Sequence, residues 1–120
     1  MNDETYETIK TTLAEEEQLF AKLHRVAREY DAIDFDESGF YDEEVERCER
    51  HWNTLATKIA DALRTRLGDA EVRLLKNPEP NLCTLRFDIT TTEETGTERS
   101  RLSVDYATEG QIAISREALA

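Results

Sequence analysis

Apolar residues between Asp3 and Asp31 recur with a helical period. Tyr6, Leu13, Phe20 and Ala27 stand seven residues apart, Ile9, Leu23 and Tyr30 share a second such row, and Glu16 is the one polar interruption. Leu19 and Val26 widen the stripe beyond a two-stranded seam, which suits a helix laid on a core. Asn2 or Asp3 can cap its start, where the following acids meet the positive end of the helix dipole. A second stripe, formed by Val45, Cys48, Trp52, Leu55, Ile59 and Leu63, predicts a helix from about Asp42 to Leu67. Asp42, Glu43 and Glu44 favour its start, and Gly68 is the expected terminator. Glu43 with Arg47, and Glu46 with Arg50, stand in the favourable i to i+4 order. The short link between the two helices predicts antiparallel neighbours.

After Gly68 the period changes to two. Ala70 to Lys76 reads as a strand stopped by Asn77-Pro78-Glu79-Pro80. Leu82 to Thr91 reads as a second, with Cys83, Leu85, Phe87 and Ile89 inward. Glu98 to Tyr106 is a third, with Leu102, Val104 and Tyr106 inward, and Gln111 to Ser115 a short fourth carrying Ile112 and Ile114. Thr92 to Thr97 reads as a mobile polar loop. The last turn is closely constrained. A two-residue loop would pair Tyr106 with Ala113 and send both isoleucines to the wrong face. A three-residue loop, Thr108-Glu109-Gly110, sets Tyr106 opposite Ile112 and puts glycine where a left-handed conformation is needed.

These elements predict an α+β fold: an N-terminal antiparallel helical hairpin packed on one face of a four-stranded antiparallel β-meander. The expected organisation is one domain over residues 1–120, with the hairpin in 1–68 and the meander in 69–120. Phe20, Tyr30, Trp52, Phe87 and Tyr106 are the expected aromatic core.

Composition refines this picture. Hydrophobic residues make up 38% and charged residues 35%, and the apolar ones are periodically placed, which argues for a folded chain. No apolar run is long enough to span a membrane, and the acidic opening Met1-Asn2-Asp3-Glu4 lacks the pattern of a secretory signal. Cys48 and Cys83 lie on apolar faces of different elements and read as free thiols of a cytoplasmic protein.

The formal net charge is −12. No basic stripe exists to displace phosphate counterions, so direct binding to nucleic acid or to an anionic membrane is not expected. Much of the charge is local. Glu29, Asp31, Asp34, Asp36, Glu37, Asp42, Glu43, Glu44 and Glu46 fall in one segment that contains no Lys or Arg. The four lysines against eleven arginines also fit a salt-adapted structural domain whose acidity has no function.

Within that segment, Asp34, Asp36 and Ser38 supply oxygen at positions 1, 3 and 5 of an EF-hand-like loop. Gly39 stands at position 6, the Phe40 carbonyl at 7 and Asp42 at 9, which makes calcium a candidate ligand. Position 12, which should be a bidentate glutamate, is Val45. The competing reading is an acidic turn in which Gly39 supplies backbone freedom. Phe35, Phe40 and Tyr41 interrupt the acids with aromatic surface, a pattern suited to partner recognition, although Phe40 and Tyr41 could equally staple the second helix. His24 and His51, with Cys48 one turn from His51, raise a transition-metal or Cys–His site; surface histidines beside a core thiol are the expected arrangement. Arg86, Arg99 and Arg101 should line the outer sheet face, with Arg73 and Arg116 nearby, Asp88 opposing Arg101 and Asp105 diagonal to Arg86. From Asp3-Glu4-Thr5-Tyr6 onward the opening helix resembles that of frataxin-type iron proteins. A long helix where that family has strands, and the lack of its tryptophan-bearing strand, leave the chain unassigned.

The function expected from these residues is that of a small acidic, non-enzymatic adaptor, inhibitor or immunity-type module that engages a basic protein surface. Its partner could be a nucleic-acid-binding protein toward which the acids mimic nucleic acid. Asp34, Phe35, Asp36, Glu37, Phe40, Tyr41, Asp42, Glu43 and Glu44 would carry the recognition. A calcium-responsive module is the alternative. No nucleophile–base spacing or phosphate-cradling glycine loop points to an enzyme, and a homodimer through the amphipathic helices stays open.

Overall fold

The computed structural model describes residues 1–33, 41–77 and 82–119. Three helices precede an antiparallel sheet: α1 Asp3–Glu15, α2 Glu17–Asp31, α3 Tyr41–Leu67, then β1 Glu71–Leu74, β2 Thr84–Glu93, β3 Gly96–Asp105 and β4 Ala113–Leu119. The strands lie side by side in chain order. The α+β architecture is therefore the one that the two periodicities predict.

The first predicted helix is broken into two. The break falls at Glu16, the polar position in the apolar stripe, whose φ of −95° and ψ of 30° leave the helical region. Its N–H bonds the Leu13 carbonyl at 3.1 Å, a tighter i−3 bond in place of i−4. Two influences converge there. Thr8 and Thr12 bond back to the carbonyls of Glu4 and Thr8, a pattern that bends helices, and the Glu15 carboxylate is drawn across to Arg66 of α3 at 2.5 Å. Asn2 caps α1 by accepting from the Thr5 N–H at 2.8 Å, as its side chain suggested.

Helix α3 presents Cys48, Trp52, Leu55, Ala56, Ile59, Ala60 and Leu63 to the interior, all 3% exposed or less. They form one core with Ile9, Leu13, Phe20, Leu23 and Val26 of the first two helices and with Leu85, Phe87, Ile89, Leu102 and Val104 of the sheet. Burial of each large aliphatic side chain contributes about 1.5–3 kcal/mol. Tyr30 is partly buried at the edge of this core. The apolar stripes of the helices are thus spent within the chain.

The β2–β3 ladder runs without interruption from Thr84↔Asp105 to Glu93↔Gly96, leaving Glu94-Thr95 as a two-residue turn. The expected loop at Thr92–Thr97 is therefore strand, because its β-branched threonines continue the pleat. The β3–β4 register, Asp105↔Ala113 onward, sets Tyr106 opposite Ile112 as the loop argument required. Gly110 takes φ 78° there, a conformation open to glycine at little cost. The fourth strand runs on to Leu119, beyond its predicted end at Ser115. Cys83 is not in a strand. It precedes β2 at φ 52° and is half-buried.

Tyr106 joins all these parts. Its N–H donates to the Cys83 carbonyl at 2.9 Å, its carbonyl accepts from His24 Nδ1 at 3.1 Å, and its hydroxyl accepts from Trp52 Nε1 at 3.0 Å. Its ring meets Phe20 at 6.0 Å between centroids. Burial pushes its phenol up to about 12, partly offset by the Trp52 bond. Replacing Tyr106 by Phe strands a buried indole N–H, and urea denaturation should show a loss of about 1–3 kcal/mol at neutral pH. An unchanged midpoint would show that the Trp52 bond is dispensable.

Candidate functional site

The described part of the acidic segment occupies one end of the helical hairpin. Glu29 and Asp31 stand in the last turn of α2; Asp42, Glu43 and Glu44 stand in the first turn of α3. Glu29, Asp42, Glu43 and Glu46 are exposed, and Glu44 is half-exposed. The two helix ends are neighbours: both Glu29 of α2 and Glu44 of α3 act on the Cys48 thiol, which burial above all pushes up. That thiol is a core group. Cys83 is also raised, first by burial and then by Asp105 and Asp31. Both cysteines are free.

Helix electrostatics separates these acids into two groups. At the start of α3, carboxylates are stabilised by the dipole. At the end of α2 they oppose it, with Arg28 the basic residue of that turn. Local helix stability therefore accounts for Asp42 and Glu43 but not for Glu29.

The ion pairs among the described residues lie elsewhere. They are Lys10–Glu7, Arg64–Asp61, Arg66–Glu15, Arg101–Asp88, Arg116–Asp3 and the Met1 amino group with Glu98. The expected pairs Glu43–Arg47 and Glu46–Arg50 are not among them. On fully exposed side chains the ordering entropy cancels most of the gain from such a pair. Of the sequence-predicted site, Asp34, Phe35, Asp36, Glu37, Ser38, Gly39 and Phe40 lie outside the described residues, as does the side chain of Tyr41. The EF-hand-like loop falls there with them, apart from Asp42. Among the described residues no cluster of three or more His, Cys, Asp or Glu side chains has the geometry to hold a metal ion.

The two histidines differ. His51 is exposed. His24 is half-buried against the Tyr106 carbonyl, which can only accept, so Nδ1 carries the proton. His24 also lines a cavity of about 250 Å³ between the α1–α2 break and the β3–β4 loop, with Leu13, Glu17, Phe20, Gln111 and Ile112 among its walls. Sequence reasoning missed this cavity. Its one local signal was Glu16, the polar interruption at which the helix bends away.

The outer sheet face carries a row of alternating charge across all four strands: Arg73, Asp88, Arg101 and Glu117. Arg101 grips Asp88 through Nε at 2.9 Å and Nη2 at 3.3 Å. Arg86 and Arg99 share this face, and Asp105 is diagonal to Arg86 as expected. Arg116 does not share it. In register with Leu102 it points to the helix side, over the Tyr6 ring at 4.3 Å and onto Asp3 at 2.8 Å.

The Arg101 hydrogen bonds hold the Asp88 carboxyl below its usual value against the opposing effect of burial, and Arg99 and Arg73 add to the pull. A depressed folded-state value stabilises the fold above the unfolded carboxylate pKa, and that stability is lost as pH falls through the folded value. Asp88→Asn should therefore be less stable than the parent chain at neutral pH, with the gap closing in acid. A pH series of urea titrations checks this, and a gap independent of pH contradicts it. No family model, curated protein or solved structure matches this chain.

Proposed function

We propose that this chain is a non-enzymatic binding protein of the cytoplasm, an adaptor, inhibitor or immunity-type module, whose acidic hairpin end engages a basic surface on a protein partner. The observation that carries this reading is the state of Glu29, Asp42, Glu43 and Glu46. They are exposed, in no ion pair among the described residues, and gathered on two adjoining helix ends, whereas Asp3, Glu7, Glu15, Asp61 and Asp88 are each held by an arginine or lysine.

Carboxylates left in this way on adjoining helix ends act on a partner at a distance. Opposite charge steers encounter and can raise association rates by roughly 10- to 1,000-fold, an advantage that salt removes. The Debye length of about 8 Å at physiological ionic strength confines the effect to the approach to this end of the molecule. Glu29 supports the reading most, since its place at the negative end of α2 gives it no role in helix stability.

The test is affinity capture on the immobilised chain from native lysate at low and high salt, beside a variant with Glu29, Glu43 and Glu46 changed to Gln and Asp42 to Asn. The parent should retain proteins with basic surfaces and release them as salt rises, with association slowed by about tenfold or more, and the variant should lose them. Capture that survives both salt and neutralisation contradicts the proposal.

A further inference from the structure

The two edges of the sheet are built differently. The Tyr106 N–H bonds the Cys83 carbonyl, so even-numbered residues of β3 face β2 and odd-numbered residues face β4. In the β3–β4 register those odd-numbered residues meet Ala113, Ser115, Glu117 and Leu119. The backbone N–H and C=O groups of Ile114, Arg116 and Ala118 therefore point away from the sheet. The Tyr6 hydroxyl donates to the Ile114 carbonyl at 3.3 Å, as this parity requires.

By the same logic the Leu75 N–H bond to the Arg86 carbonyl turns Val72 and Leu74 outward on β1. That edge is only four residues long, and Arg64 covers it by donating to the Val72 carbonyl from Nε at 3.1 Å and Nη2 at 2.9 Å. The β4 edge has no such cover beyond Ile114. It runs seven residues in unbroken register, Ala-Ile-Ser-Arg-Glu-Ala-Leu, with no bulge and no proline, glycine or lysine. The outward groups of Arg116 and Ala118 have no backbone partner among the described residues. Edges left in this state are templates for another strand.

We propose that β4 pairs antiparallel with β4 of a second copy of this chain, joining two sheets into one of eight strands about a two-fold axis. A second copy fits because the axis can pass through Glu117. Arg116 then faces Ala118 of the other copy, and Ala118 faces its Arg116. Every outward N–H and C=O of these residues is satisfied on both chains, and the Tyr6 bond to Ile114 stays intact. The contact is isologous. The arrangement brings the two Glu117 side chains together on the outer face, each beside its own Arg101. With −12 on each copy, association should strengthen as salt rises. The binding of a basic partner weakens with salt, so the two ideas fail independently.

Sedimentation velocity over a concentration series in high salt tests the proposal with three chains. The parent should move from monomer to dimer. Glu117→Gln should tighten the dimer by about two- to fivefold, since like charges directly opposed in a sheet are destabilising. Ala118→Pro should abolish the dimer and keep the parent's circular dichroism, because the N–H it removes is absent from the β3 ladder. Amide hydrogen exchange on the parent gives a second readout that needs no variant: Arg116 and Ala118 should exchange more slowly as concentration rises. A parent that stays monomeric throughout overturns the proposal. So does a dimer in which Ala118→Pro assembles like the parent, or one in which these amides gain no protection.

Discussion

One buried residue bonds two helices and the sheet at once. Tyr106 leaves the end of β3 and spends each polar group on a different element: its N–H on the Cys83 carbonyl before β2, its carbonyl on His24 of α2, its hydroxyl on Trp52 of α3. Tyr106 is 1% exposed, so losing a partner for one of its buried polar groups costs the fold that group's desolvation. The three bonds also help to fix how the hairpin docks on the sheet. His24 of α2 and Trp52 of α3 both meet Tyr106, on the side where the apolar stripes of the two helices face the sheet. That orientation carries the acidic helix ends to one end of the hairpin and turns the charged row of Arg73, Asp88, Arg101 and Glu117 to the opposite face of the sheet.

Much of this fold was legible in the sequence, and the reason is periodicity. A 3.6-residue stripe and then a two-residue alternation each demand a buried face, and a helical hairpin on a meander buries both. The β3–β4 register followed from a single constraint, that Ile112 and Ile114 share a face with Tyr106. The break at Glu16 was visible only as a polar residue in an apolar row; its cause includes Arg66, distant in the chain and adjacent in space. Arg116 was misplaced for a similar reason. Its face depends on how far β4 extends, and its partners Tyr6 and Asp3 come from the other end of the chain.

The candidate site was legible as composition and less so as geometry. The acids of residues 29–46 announce themselves, but the exposure of Glu29, Asp42, Glu43 and Glu46, and their lack of ion pairs among the described residues, follow from how α2 and α3 meet. The cavity beside His24 had only Glu16 as a local signal, and the bonds to the two sheet edges had none. Tyr6 reaches Ile114 and Arg64 reaches Val72 only after the hairpin has docked. Charge pairing is also uneven: Arg64, Arg66, Arg101 and Arg116 each hold a carboxylate, whereas Glu29, Asp42 and Glu43 stand in no ion pair among the described residues.

The dependence of both layers on Tyr106 is tested most directly by native-state hydrogen exchange across a series of low denaturant concentrations. Amides of Leu55 and Ile59 in α3, of Leu102 and Val104 in β3, and the Trp52 indole N–H should converge on one opening free energy with one denaturant slope. Helix amides that exchange through a separate, shallower opening while the β3 amides stay protected would show that hairpin and sheet are stable apart, and would contradict the account.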